Sequence, residues 1–268
     1  MISLVGTNRL RWTTNCLVDG HDKQAELPQR LPQEAQEIGD SSTGEIEIVT
    51  SRKAARTIAA KCANELKGSG LGKGGKTIGI LLEDETRMIV RDPLRFPSGA
   101  TGCRMRVIGK TEFDGPNGVA VLAMSEGRFV LREIYRHATR SWELECTRGR
   151  RETGMTPRQT VRAEVKQELG FAVKKIHLLG MIRPDSALMS AHLEVFLVEL
   201  GARGKPEPEE TEAFGEIVYL TADELADRIL DGTIKDSYTI SALLLAQLKG
   251  LVPLNSDTGN RSLEPELR

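Results

Sequence analysis

The sequence has no apolar run approaching the roughly 20 residues that a helix needs to cross a membrane. The short apolar start of MISLVGTNRLRW falls below the length of a secretory signal. There is no CxxC pair: Cys16, Cys62, Cys103 and Cys146 are scattered, which argues against a disulfide framework and against a cysteine-rich zinc site. Neither sign of charge is in excess, with 37 Lys and Arg against 38 Asp and Glu. That balance argues against a protein whose main task is coating nucleic acid or an anionic membrane. No internal repeat is visible. These absences leave a soluble, cytoplasmic protein as the expectation. At 268 residues the chain can bury a substantial core, in one large domain or two small ones.

Four segments are expected. Residues 1–43, rich in Gln, Asp, Ser and Pro, read as loop or disorder, with Trp12 as the one potential anchor. Residues 44–76 pair a strand-like EIEIVT with a helical segment in which Ala55, Ile58, Ala59 and Cys62 recur at helical intervals. They end in the Gly-rich GSGLGKGGKT, where Gly70, Gly75, Lys76 and Thr77 satisfy GxxxxGK[ST]. A phosphate loop needs a strand before it and a helix after it. Here the order is reversed, so a flexible connector is the better reading. Residues 77–251 then alternate short strand candidates (TIGILL, RMIVRD, RMRVIG, GVAVLAM, RFVLREIY) with turns, before a helix, further strands and two closing helices. That order predicts an α/β (α+β) fold with helices packed on a mixed sheet. Residues 252–268 read as a polar tail.

The chemistry concentrates in GRRETGMTPRQTVRAEVKQELGF, residues 149–171. Thr156, Pro157 and Gln159 form a capping box that opens a helix, and Gly170 ends it. Val161, Val165 and Leu169 fall at i, i+4, i+8 and should face the core. Glu164 and Glu168 then lie within about 60° of that apolar stripe, at the edge of the buried face. Two close carboxylates repel unless a positive group lies between them. A hard, oxygen-seeking cation such as Mg²⁺ or Mn²⁺ is one solution, and the arginines at 148, 150, 151, 158 and 162 are another. A Glu pair at this spacing is also common on ordinary helices, but the preceding strand-like WELEC and Gly-rich loop add weight to an ion site.

These residues resemble the Nudix hydrolase signature, with Gly149, Glu164, Val165, Glu168, Gly170 and Phe171 at matching positions. Met155 stands where that family has Glu, Ala163 where it has Arg, and Gln167 where it has Glu, so the box is degenerate. The flanking WELECTRGRRETG, LREIYRHA and EETEAFGEIVYLTADEL are similar to the ADP-ribose pyrophosphatase branch, and the resemblance spans about residues 77–251. It implies a Nudix-type α/β/α sandwich. The implied activity is metal-dependent hydrolysis of a nucleoside diphosphate linked to another moiety, such as ADP-ribose or a nucleotide sugar. The Mg²⁺ or Mn²⁺ ligands would be Glu164, Glu168 and the backbone carbonyl of Arg148. Arg136 and Glu145 would contact the substrate, and Glu210 or Glu212 would act as base. A homodimer exchanging early strands is implied, with a nucleotide-type small molecule as ligand and neither membrane nor nucleic acid as partner. The three departures leave open a second reading, a domain that binds a nucleotide as sensor or adaptor without turning it over.

Overall fold

The computed structural model describes residues 38–65, 77–109, 117–208 and 210–253. The expectations placed on Trp12, on most of the Gly-rich stretch and on the tail beyond residue 253 lie outside them. Contacts divide the chain into two compact units: residues 1–112 with 187–190, and residues 113–186 with 191–268. The expected domain start at residue 77 thus falls inside the first unit.

The first unit is built on β1 (Glu47–Ile48), α1 (Arg52–Glu65), β2 (Gly79–Glu83), β3 (Arg87–Arg95) and β4 (Thr101–Gly109). β3 pairs antiparallel with β4 along one side, and with β1 and β2 at opposite ends of the other. The helical spacing read from the sequence is the buried face of α1: Ala55, Ile58, Ala59, Cys62 and Ala63 are all buried. The four residues 187–190, far along the chain, join this unit by bridging Val107.

The second unit holds β5 (Gly118–Ser125), β6 (Arg128–Arg136), β7 (Ser141–Glu145), β8 (Thr147–Arg150), β9 (Phe171–Ile182), β10 (Leu193–Arg203) and β11 (Phe214–Leu220). Their order is β11-β6-β5-β10-β9, with β5 and β10 parallel and the other pairs antiparallel, so the sheet is mixed. The β5–β6 hairpin pairs only near its turn, from Ala123 to Val130, and then splays. β7 takes up β6 and β8 takes up β5 in the gap, with Cys146 between them. The Gly-rich loop expected from residue 149 begins later: Thr147–Arg150 is strand, pairing with Gly118–Val121 of β5.

Alternation along β5 divides the core between two faces. Ala120 and Leu122 pack with Leu131, Leu197, Leu225 and Leu243, beneath α3 (Ala222–Leu230) and α4 (Ser237–Leu248). Val119, Val121 and Ala123 pack with Val161, Val165, Leu169 and Phe196, beneath α2 (Pro157–Glu164) and the turn that extends it. Helices on both faces of a mixed sheet make this the expected α/β/α sandwich.

Candidate active site

The site grows out of the loop and helix that follow β8. The Thr156 hydroxyl accepts from Gln159 N at 3.3 Å, while the Thr156 amide donates to Gln159 Oε1 at 2.8 Å, completing the capping box. Val161, Val165 and Leu169 are fully buried, which fixes the rotation of the helix on the sheet. Gly170 ends it with φ 76°, a left-handed conformation that glycine adopts without steric cost.

The α-helix stops earlier than the sequence predicts. It closes at Glu164, and Val165–Leu169 forms a π-helical turn. Its last carbonyls are taken by donors from outside: Glu207 N donates to Gln167 O at 2.9 Å, and the Arg132 guanidinium donates to Glu168 O. The change bears on the acidic pair. In an α-helix, residue i+4 overshoots residue i by about 40°. A wider i→i+5 turn reduces that overshoot, so Glu164 and Glu168 come closer to one line along the helix.

Both carboxylates point to crowded ground. Glu164 lies against Gly149, so closely that a Cβ there would fall 1.7 Å from its Oε1. This puts the carboxylate directly over the Gly149 Cα. Glu168 is buried, only 6% exposed. Burial, then the adjacent Glu164 and the more distant Glu212, pushes its carboxyl up to about 8. The Thr147 hydroxyl pulls the other way, favouring the charged form, but it falls short of hydrogen-bond geometry and remains a buried oxygen without a partner. Arg132 completes the cluster. Its guanidinium stacks 4.1 Å from the centre of the Phe214 ring, and its pKa is lowered by burial against the opposing pull of Glu168 and Glu212.

This donor set fits a hard divalent cation: two neighbouring carboxylates, one of them destabilised as an anion by burial, beside an unsatisfied hydroxyl oxygen. Among the described residues, no three His, Cys, Asp or Glu side chains stand at metal-binding spacing. Protein oxygens beyond the pair would therefore be backbone, hydroxyl or side-chain amide groups. Of the two late-loop candidates, both exposed, Glu212 acts electrostatically on Glu168 and Arg132.

Arg136 and Glu145, the expected substrate contacts, meet each other: Arg136 Nε donates to Glu145 Oε2 at 3.0 Å across the β6–β7 ladder. The Arg148 side chain binds the same carboxylate at 2.8 Å, lies 3.7 Å from Asp236 Oδ1, and sits over the Tyr238 ring at 4.6 Å. Burial lowers its pKa, but Glu145 and Asp236 outweigh that and raise it above the ordinary arginine value. Asp236 in turn caps α4 through Thr239 N at 2.9 Å, and Thr239 Oγ1 accepts from Cys146 N at 2.9 Å. Sequence reasoning missed Arg132, Thr147, Asp236 and Thr239. The one available signal was the Arg132 charge inside the otherwise strand-like RFVLREIY.

No family model matches the chain. It is 26% identical over 160 residues to a methanol dehydrogenase activator of Bacillus methanolicus, spanning 59% of this chain and 83% of the relative. It is 24% identical over 177 residues to an ADP-ribose pyrophosphatase of Bacillus subtilis (strain 168), spanning 65% of this chain and 88% of the relative. Among solved structures it matches an ADP compounds hydrolase with TM-score 0.56 at 18% identity, over 65% of this chain and 93% of the other. With the two-faced mixed sheet and its capped helix, these likenesses establish a Nudix-type fold for this chain, the fold of that ADP compounds hydrolase.

Proposed function

We propose that this protein hydrolyses a nucleoside diphosphate linked to a second moiety, in the manner of an ADP-ribose or nucleotide-sugar pyrophosphatase, with Mg²⁺ or Mn²⁺. The observation that carries this reading is the Glu164–Glu168 pair on the helix and its π turn, where burial and the neighbouring Glu164 raise the Glu168 carboxyl. When bound, a divalent cation would supply the positive charge that pyrophosphate cleavage needs. The chain's own residues do the remaining work. Glu164, resting on Gly149, and Glu168 would hold the cation, with the Arg148 carbonyl as the backbone ligand that the family resemblance implies. Arg132 fixes the turn that carries Glu168. Glu212 is the preferred base over Glu210, because it acts on the same cluster. Arg136 reaches phosphate only by sharing its guanidinium with Glu145: Nε and Nη2 both donate to that carboxylate, leaving Nη1 to face a substrate.

Release of nucleoside monophosphate from ADP-ribose and a panel of nucleotide sugars, measured with Mg²⁺ and with Mn²⁺, tests the proposal. Glu164→Gln and Glu168→Gln should each lose about 10²–10³ in rate. Equal turnover in all three proteins would remove the pair from the mechanism.

The second reading, nucleotide binding without turnover, draws on a specific observation: Arg136 and Arg148 both neutralise one internal carboxylate, Glu145. Together with Ala163 and Gln167 at signature positions, this leaves fewer charges for chemistry. Calorimetry showing saturable binding of ADP-ribose with no product favours it; product formation excludes it.

A further inference from the structure

The second unit carries a groove that the proposed chemistry leaves unused. It is a cavity of about 510 Å³, lying where α2 and its π turn meet the start of β9, the end of β10 and the loop 204–207. Four cations line it, Arg162, Lys166, Arg203 and Lys205, against one carboxylate, Glu207. The chain as a whole has net charge −1, so this concentration is local. Arg162 and Lys166 are two residues before Glu164 and Glu168 respectively, a displacement of about 200° around a helix. The groove and the acidic pair therefore occupy roughly opposite sides.

Three of the four cations have fixed neighbours. Arg162 Nη1 donates to Val173 O at 2.8 Å, and Arg203 lies 5.7 Å from the centre of the Phe171 ring. The rim loop is tied down by Gly204 N to Gly170 O at 2.6 Å and Glu207 N to Gln167 O at 2.9 Å. Lys166 Nζ is paired with Glu207 Oε2 at 3.2 Å, an exposed pair that an anion can displace at little cost. Two guanidinium forks are suited to bidentate recognition of tetrahedral oxyanions, and two ammonium groups add point charges. The volume is that of a small-molecule site.

We propose that this groove binds a small, multiply charged phosphate compound at a site separate from the acidic pair. It does so whether or not the protein is a hydrolase. Recognition runs through Arg203 and Lys205 on the rim, with Arg162 and Lys166 on the helix, and Glu207 gives up Lys166 to the incoming anion.

The test is calorimetric titration of inorganic pyrophosphate, and separately of citrate, into full-length protein stripped of divalent cations on a chelating resin. Arg203→Ala/Lys205→Ala should weaken pyrophosphate binding at least tenfold, and Glu168→Gln should leave it unchanged. Wild-type affinity should fall as salt rises. Both rim side chains are exposed, so the double variant should melt as wild type does. Lys205→Glu alone should weaken binding further than Lys205→Ala. Absence of pyrophosphate binding to wild type, undiminished binding by the rim variant, dependence on Glu168, or citrate binding as tightly as pyrophosphate would each overturn the proposal.

Discussion

A Cβ at Gly149 would stand 1.7 Å from Glu164 Oε1, yet the backbone at Gly149 is not in the left-handed region. Alanine can therefore adopt that backbone, and the carboxylate at the end of a flexible side chain must move instead. Gly149→Ala should keep its melting temperature within a few degrees of wild type while losing metal-dependent turnover, measured side by side on one preparation. Glu168 gives a second prediction. Its carboxyl titrates near 8 when folded, against an ordinary value of 4.5. Between those values the folded protein holds a proton that the unfolded chain has released, so this group lowers stability progressively as pH rises through the window. In metal-free protein, Glu168→Gln should melt above wild type at about pH 8.5, and the gap should close by about pH 5. A gap that stays constant across that range would mean the carboxyl is not raised. The acidic pair itself was legible in the sequence because helical periodicity and the capping box placed it. Arg132 and Thr147 were not, since each reaches Glu168 only through the pairing of strands distant along the chain.

The π turn is an element-scale feature that no periodicity announces. The apolar positions Val161, Val165 and Leu169 are the same for an α-helix as for a helix that widens in its last turn. Donors from distant parts of the chain, Arg132 and Glu207 N, satisfy Glu168 O and Gln167 O, last-turn carbonyls that have no intrahelical donor. The termination itself was readable from Gly170, and its necessity is now twofold. Its φ of 76° disfavours any side chain, and a Cβ would lie 2.6 Å from the backbone nitrogen of Pro206. Gly170→Ala should cost about 2 kcal/mol or more, read as a lowered urea midpoint at unchanged slope. Strand β8 was missed for a related reason. Thr147–Arg150 has no alternating apolar pattern and is strand only because the splayed β5–β6 hairpin leaves β5 needing a partner.

At the scale of the molecule, helices packed on a mixed sheet were legible from the order of strands and helices, and the α/β/α layering from the family resemblance; the cap of the last helix, Asp236, was not read. The division into units was not, because it depends on which strands share a sheet. The homodimer implied by the family resemblance is a whole-molecule prediction: light scattering on the eluting native peak should give twice the chain mass, and a monomer would count against strand exchange. The four residues 187–190 carry a last consequence. Val107 N donates to Leu188 O at 2.7 Å and Ser190 N to Val107 O at 3.4 Å, inside the first unit. That unit is thus discontinuous in the gene, and no single stop codon delimits it. A chain ended at residue 112 would leave β4 with an unpaired rung at Val107, so dissecting this protein calls for a circular permutation or a graft, rather than a truncation.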